Sequence, residues 1–184
     1  MSHPVATLVL HPPVSVARDF IDYPYFSDLG AVQLAAVLRD LGHPVTLVDA
    51  FATPGAALRW RADDRALLGV PVETLLATVR AALATAEAPR AVVVAYTPFH
   101  RPPGRDEVLG ALLTGLRAML PTAALVLADA YQSGQHYVEA DGAAVLASYP
   151  EADAWVKYEA EVTVPALLAA LGRGESIQGV HRGE

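Results

Sequence analysis

Three histidines, His11, His100 and His136, fall in segments expected to meet at one edge of a sheet, where gathered imidazoles could ligate a metal or move a proton. No His-x-x-x-His or comparable spacing links them, so each reads more simply as a solvent-facing or hydrogen-bonded loop residue. Glu159 and Glu161 precede the last helical segment, where a carboxylate is favourable at the positive end of the helix dipole, and capping is their first reading. His43, after Gly42, and Asp49, at a strand end, likewise read first as a cap and a turn residue. Thr97 follows a buried strand run and has a hydroxyl that can bond the backbone.

The chemistry the chain lacks is better defined. It has no cysteine, which removes disulfides, thiolate zinc sites, a cysteine nucleophile and any Cys-ligated iron–sulfur cluster. No Gly-x-Ser-x-Gly elbow, Walker loop or Gly-x-Gly-x-x-Gly is present, so acyl transfer and nucleotide binding have no recognisable apparatus. A phospho-accepting receiver needs acidic residues near strand one and an Asp at strand three, where this chain has His11-Pro12 and Tyr96. No residue is assigned a catalytic role, and no side chain is assigned to a metal.

The elements that position these residues follow from periodicity. Short apolar runs at Ala6-Leu10, Val45-Val48, Ala91-Tyr96, Ala123-Leu127 and Ala154-Lys157 predict buried parallel strands. Helical spacing covers Leu29-Leu41, Val72-Ala86, Glu107-Leu120 and Val162-Leu171, with a weaker candidate around Tyr137-Leu146. Gly42, Pro71, Pro121 and Gly172 punctuate them as stops and starts. The alternation predicts a flavodoxin-like, Rossmann-like α/β three-layer sandwich on a five-stranded parallel sheet of order 2-1-3-4-5, with ligands outside the carboxyl ends of the strands. Residues 1–184 are expected to form one domain, with 174–184 as a tail that adds an edge strand through Ile177-His181. Residues 51–70 read as a connection able to hold a short extra helix, and Val14-Tyr25 as an aromatic loop.

A net charge of −7 with a single lysine, Lys157, and no basic run gives a phosphate backbone nothing extended to grip, so nucleic acid is not an expected partner. No stretch approaches the roughly 20 apolar residues that span a bilayer, and the opening Met1-Ser2-His3-Pro4 lacks the pattern of a secretory signal. A soluble protein in the cytoplasm is expected, with no membrane partner.

One connected pattern carries a resemblance. His11-Pro12-Pro13, Tyr23-Pro24-Tyr25, Leu29-Gly30-Ala31, Leu34-Ala35-Ala36-Val37-Leu38-Arg39, and Leu41-Gly42-His43-Pro44-Val45-Thr46 ending in Asp49 follow one another. Further on come Tyr158-Glu159-Ala160-Glu161, the apolar helix Val164-Leu171 and Ile177-Gln178-Gly179-Val180. Together they resemble the N-terminal cobalamin (B12)-binding domain of B12-dependent radical SAM enzymes, whose acidic Gly-Glu-Gly-Glu turn matches residues 158–161.

The resemblance implies a cobalamin-binding module that positions the corrin for a radical SAM domain or protein, in methyl transfer or rearrangement chemistry. The cluster would lie in that partner, since this chain has no cysteine. The implied contacts are Pro12, Pro13, Tyr25, Gly30, Thr97, Pro98, Asp129, Ser133, Gly134, Tyr158 and Glu159. Tyr131, His136 and Tyr137 could also pack on the corrin or its tail, and Pro98-Arg105 could form a lip over it. Two departures stand out. There is no Asp-x-His-x-x-Gly, so cobalamin would bind without that histidine as lower ligand, and Ala128-Asp129-Ala130 replaces the family's Gly-Gly turn. The alternative is a degenerate B12-binding-like fold that serves as a structural or protein-interaction domain without cofactor.

Overall fold

The structure, a computed structural model, describes residues 3–17, 29–97, 104–130 and 141–182. The main sheet is built from β1 (Thr7–His11), β3 (Val45–Asp49), β6 (Ala91–Tyr96), β7 (Ala124–Asp129), β8 (Ala154–Lys157) and β9 (Gly179–Arg182). Its six strands run parallel in the order β3-β1-β6-β7-β8-β9. The five strands expected from periodicity therefore take the expected order, and the tail adds a sixth. β9 pairs parallel to β8, so the five-stranded sheet expected from the sequence is one strand short.

Five helices connect the strands among the described residues: α1 (Leu29–Asp40), α2 (Val72–Leu83), α3 (Glu107–Met119), α4 (Gly142–Ser148) and α5 (Ala160–Gly172). Because strand side chains alternate, β1, β3, β6, β7 and β8 each feed two cores. Leu8, Leu10, Val92, Val94, Leu125 and Leu127 face α2, α3 and α4, whereas Val9, Val93, Val126 and Val156 face α1 and α5. Four fully buried leucines of α3, Leu109, Leu112, Leu113 and Leu116, each contribute about 2 kcal/mol of apolar burial to the first core. No helix among the described residues is long and apolar enough to cross a membrane.

Helix ends follow their local chemistry. After α1, the Gly42 N–H donates to Arg39 O and the His43 N–H to Leu38 O, the two bonds of a Schellman cap, with Gly42 at φ +85. The Asp106 carboxylate accepts the Leu109 N–H at 2.8 Å to open α3, and Asp141 accepts the Ala143 N–H at 3.0 Å to open α4.

A second sheet departs from expectation. β2 (Val14–Ala17), β4 (Ala57–Trp60) and β5 (Arg65–Gly69) form an antiparallel sheet of order β2-β5-β4. Residues 51–70 thus hold a hairpin, not a helix, and Val14–Ala17 is strand, not loop. Arg65 ties the sheet together, its Nε donating to Ser15 Oγ and its Nη2 to Ser15 O, both at 2.8 Å. Val14, Val16, Ala66 and Leu68 form its own small core against Phe51.

Candidate functional site

Parallel strands deliver their carboxyl ends to one edge, and the order in which strands are added reverses between β1 and β6, β3 lying on one side of β1 and the later strands on the other. Such a switch point is where open α/β sheets hold ligands. His11, Pro12 and Pro13 end β1 there, Asp49 ends β3, Thr97 follows β6, Asp129 ends β7, and Lys157, Tyr158 and Glu159 end β8.

Pro12 and Pro13 are buried and form the whole link from the main sheet to the small one. Thr97 is buried at 1 % exposure, directly after Tyr96, which pairs in register with Asp129. Asp129 and Tyr158 are half-buried, whereas Glu159 is exposed. Gly30 lies in the first turn of α1, and a Cβ added there would stand 1.5 Å from Ala130 O. Its slimness is thus used by the backbone leaving β7. Pro12, Pro13, Thr97, Asp129, Tyr158 and Glu159 therefore share the carboxyl edge, and Gly30 joins them through Ala130. Tyr25, Pro98, Ser133 and Gly134 lie outside the described residues, as do Tyr131, His136, Tyr137 and most of the 98–105 lip.

The turn from β8 into α5 has an uncommon backbone. Tyr158 at φ 61 and Glu159 at φ 39 are both left-handed without being glycine. Each such residue costs of the order of 1 kcal/mol and persists where its surroundings over-determine it, commonly at binding sites. Glu159 is the N-cap of α5, but its side chain makes no capping bond. The capping role expected of Glu159 is therefore not performed by its carboxylate. Lys157, 2 % exposed, holds its Nζ 4.6 Å from the centre of the Tyr158 ring, a cation–π approach.

At the neighbouring strand ends, His11 and Asp49 face each other in register, Nδ1 3.4 Å from Oδ1, with His11 at 1 % exposure. Asp49 Oδ1 also accepts the Phe51 N–H at 2.7 Å, the turn role expected of it. His43 serves structure at the opposite edge, its Nδ1 accepting the Val5 N–H at 3.0 Å. Of the three histidines expected together, His11 lies on the edge, and His100 and His136 fall outside the described residues. The His11–Asp49 pair escaped the sequence reading, although the strand order already implied that these two strand ends would be neighbours.

Behind β6 the edge rests on a rigid base. Tyr96 packs edge-on to Tyr149 and Trp155, with ring centres 6.2 and 5.9 Å away. Tyr149 OH accepts the Asp106 N–H at 3.0 Å, and burial pushes its pKa up to about 12. Arg105 donates from both Nη atoms to Glu151, at 2.8 and 2.6 Å, and Thr114 Oγ1 donates to the same carboxylate at 2.7 Å. These bonds, Arg105 first, hold the Glu151 pKa down to about 2.

An open groove of ≈ 270 Å³ lies between β5 and the first turns of α2 and α3, lined by Arg61, Glu73 and Glu107. Among the described residues no three His, Cys, Asp or Glu side chains gather as for a metal. Among the described residues the edge offers buried polar groups and left-handed backbone. The chain matches no family model, and no curated protein matches its sequence.

Proposed function

We propose that the chain is a cobalamin-binding module with the flavodoxin-like strand order, which presents the corrin at its carboxyl edge to a radical SAM domain or protein. The observation that carries this reading is the turn at Tyr158-Glu159. Two consecutive left-handed residues stand at the position that the resemblance gives to an acidic turn beginning with glycine, the residue that adopts such backbone most readily. The residues fit such a group in two further respects. Thr97, Pro12 and Pro13 are buried at the strand ends flanking the switch point, and the buried His11 ring nitrogens have no hydrogen-bond partner among the described residues. With no metal-like cluster of side chains among the described residues, cobalt would be held by its own macrocycle.

In this role Pro12, Pro13, Gly30, Thr97, Asp129, Tyr158 and Glu159 position the ligand, with Tyr25, Pro98, Ser133 and Gly134 completing the set. The corrin supplies the cobalt–carbon chemistry. The chain's own residues bind and orient, and the partner supplies the iron–sulfur cluster that a chain without cysteine does not ligate.

A second reading is favoured by one contact. Gly30 against Ala130 O closes the space beside the end of β7, where the resembled domains keep a Gly-Gly turn for the ligand's nucleotide tail. A degenerate domain serving structure or protein interaction would show that closure. Incubation with hydroxocobalamin, followed by gel filtration, separates the two readings. Corrin absorbance co-eluting with protein supports the module, and its absence from the protein fraction leaves the degenerate domain.

A further inference from the structure

We propose that His11 is a binding residue of the carboxyl-edge site, with the Asp49 carboxylate beside its Nδ1 and its Nε2 lone pair placed to receive a hydrogen-bond donor of the ligand. This rests on the reading of that edge as a ligand site.

His11 is 1 % exposed, and neither ring nitrogen has a hydrogen-bond partner among the described residues. The two half-buried histidines among the described residues each have one. His43 Nδ1 accepts the Val5 N–H, and His181 pairs through Nε2 with Ile177 O at 2.9 Å. His11 alone among these three flanks the switch point, whereas His181 lies near the carboxyl end of β9, at the far side of the sheet.

Its neighbours define what it can do. Asp49 Oδ1 stands 3.4 Å from Nδ1, longer than a good hydrogen bond, while already accepting the Phe51 N–H. A carboxylate on that side favours the proton on Nδ1 and leaves Nε2 as an acceptor. The Phe51 ring, edge-on with its centre 4.9 Å away, gives no conventional hydrogen bond. A fold that needed only volume at this position would be more stable with an apolar ring, because an unpaired buried polar group is costly.

The ligand class follows from the lone pair. A group that donates N–H or O–H satisfies it, as do the primary amides around a corrin, whereas a carboxylate or phosphate oxygen meets a neutral imidazole lone pair to lone pair. Entry of the ligand requires the side chains over the ring to move, and half-buried Phe51 is one of them.

His11→Phe keeps the ring and removes both nitrogens. With hydroxocobalamin as the probe, equilibrium dialysis is expected to show the variant binding about tenfold more weakly than wild type. Without the probe, its Tm is expected to rise by about 2–4 °C, because an unpaired buried group has gone. Equal affinity, or a Tm below wild type, overturns the assignment. Should His11→Phe not fold, Asp49→Asn, which keeps an oxygen for the Phe51 N–H, is expected to weaken binding several-fold in a folded protein, and unchanged binding overturns it. Nitrogen-15 imidazole spectra of wild type are expected to place the proton on Nδ1, and a proton on Nε2 overturns the proposal. Wild type that retains no hydroxocobalamin is a separate result, which removes the site reading and this assignment together.

Discussion

Gly30 shows how little room a single position can leave. Its missing Cβ is where the Ala130 carbonyl passes, so Gly30→Ala forces the first turn of α1 away from the end of β7. Overpacking against backbone, which cannot rotate aside, is expected to cost about 3 kcal/mol in urea denaturation. Gly42→Ala isolates the opposite cause. Nothing lies within 4 Å of the added methyl, so only the φ of +85 opposes it, and about 1 kcal/mol is expected by the same measurement. Both glycines stand out in the sequence, but only Gly42 announces its reason there, through its place after a helix. That Gly30 answers to Ala130, a hundred residues away, is a packing fact that no local pattern encodes.

Among the elements, the Arg105–Glu151 pair fastens the approach to α3 to the turn before β8. The Glu151 pKa lies at about 2 in the folded chain against an ordinary 4.5, so the carboxylate's stabilisation is complete above the unfolded value. It fades as pH falls from about 4.5 towards 2, where the folded form also takes up its proton. Wild type is expected to exceed Glu151→Gln by about 1 kcal/mol at pH 7, the partly exposed setting limiting the gain. Chemical denaturation from pH 7 to pH 2 should show that gap closing within this window. The principal strands and helices were legible because each buries a continuous or periodic apolar face, and their bounds shift by only a few residues. β4 and β5 were not, since Arg59 and Arg65 within them and Arg61, Asp63 and Asp64 between them interrupt the apolar pattern, and β5 also pairs with β2, a strand 50 residues away. Separation along the chain also hid the facing of His11 and Asp49, each of which reads alone as an ordinary strand end.

For the whole molecule, a ligand bound at the carboxyl edge touches the ends of strands whose opposite faces are the two cores, so its binding energy adds to the global stability. With hydroxocobalamin at about 100 times its Kd, linkage gives about 2.7 kcal/mol, and Tm is expected to rise by about 5–10 °C by differential scanning calorimetry. An unchanged Tm at saturation would contradict binding to the folded chain.

The small sheet imposes an order of events on the growing chain. β1 lies between β3 and β6, and β2 against β5, so neither of the first two strands gains a strand partner until residues from 45 onward have been made. The link at Pro12 and Pro13 then joins two strands that must wait for different partners. On a ribosome, the segment that will border the carboxyl edge is thus held open while α1 passes, and it closes only when the β4–β5 hairpin emerges. Synthesis halted before Arg65 would leave β2 with its hydrogen-bonding groups bare, a nascent state suited to capture by a chaperone.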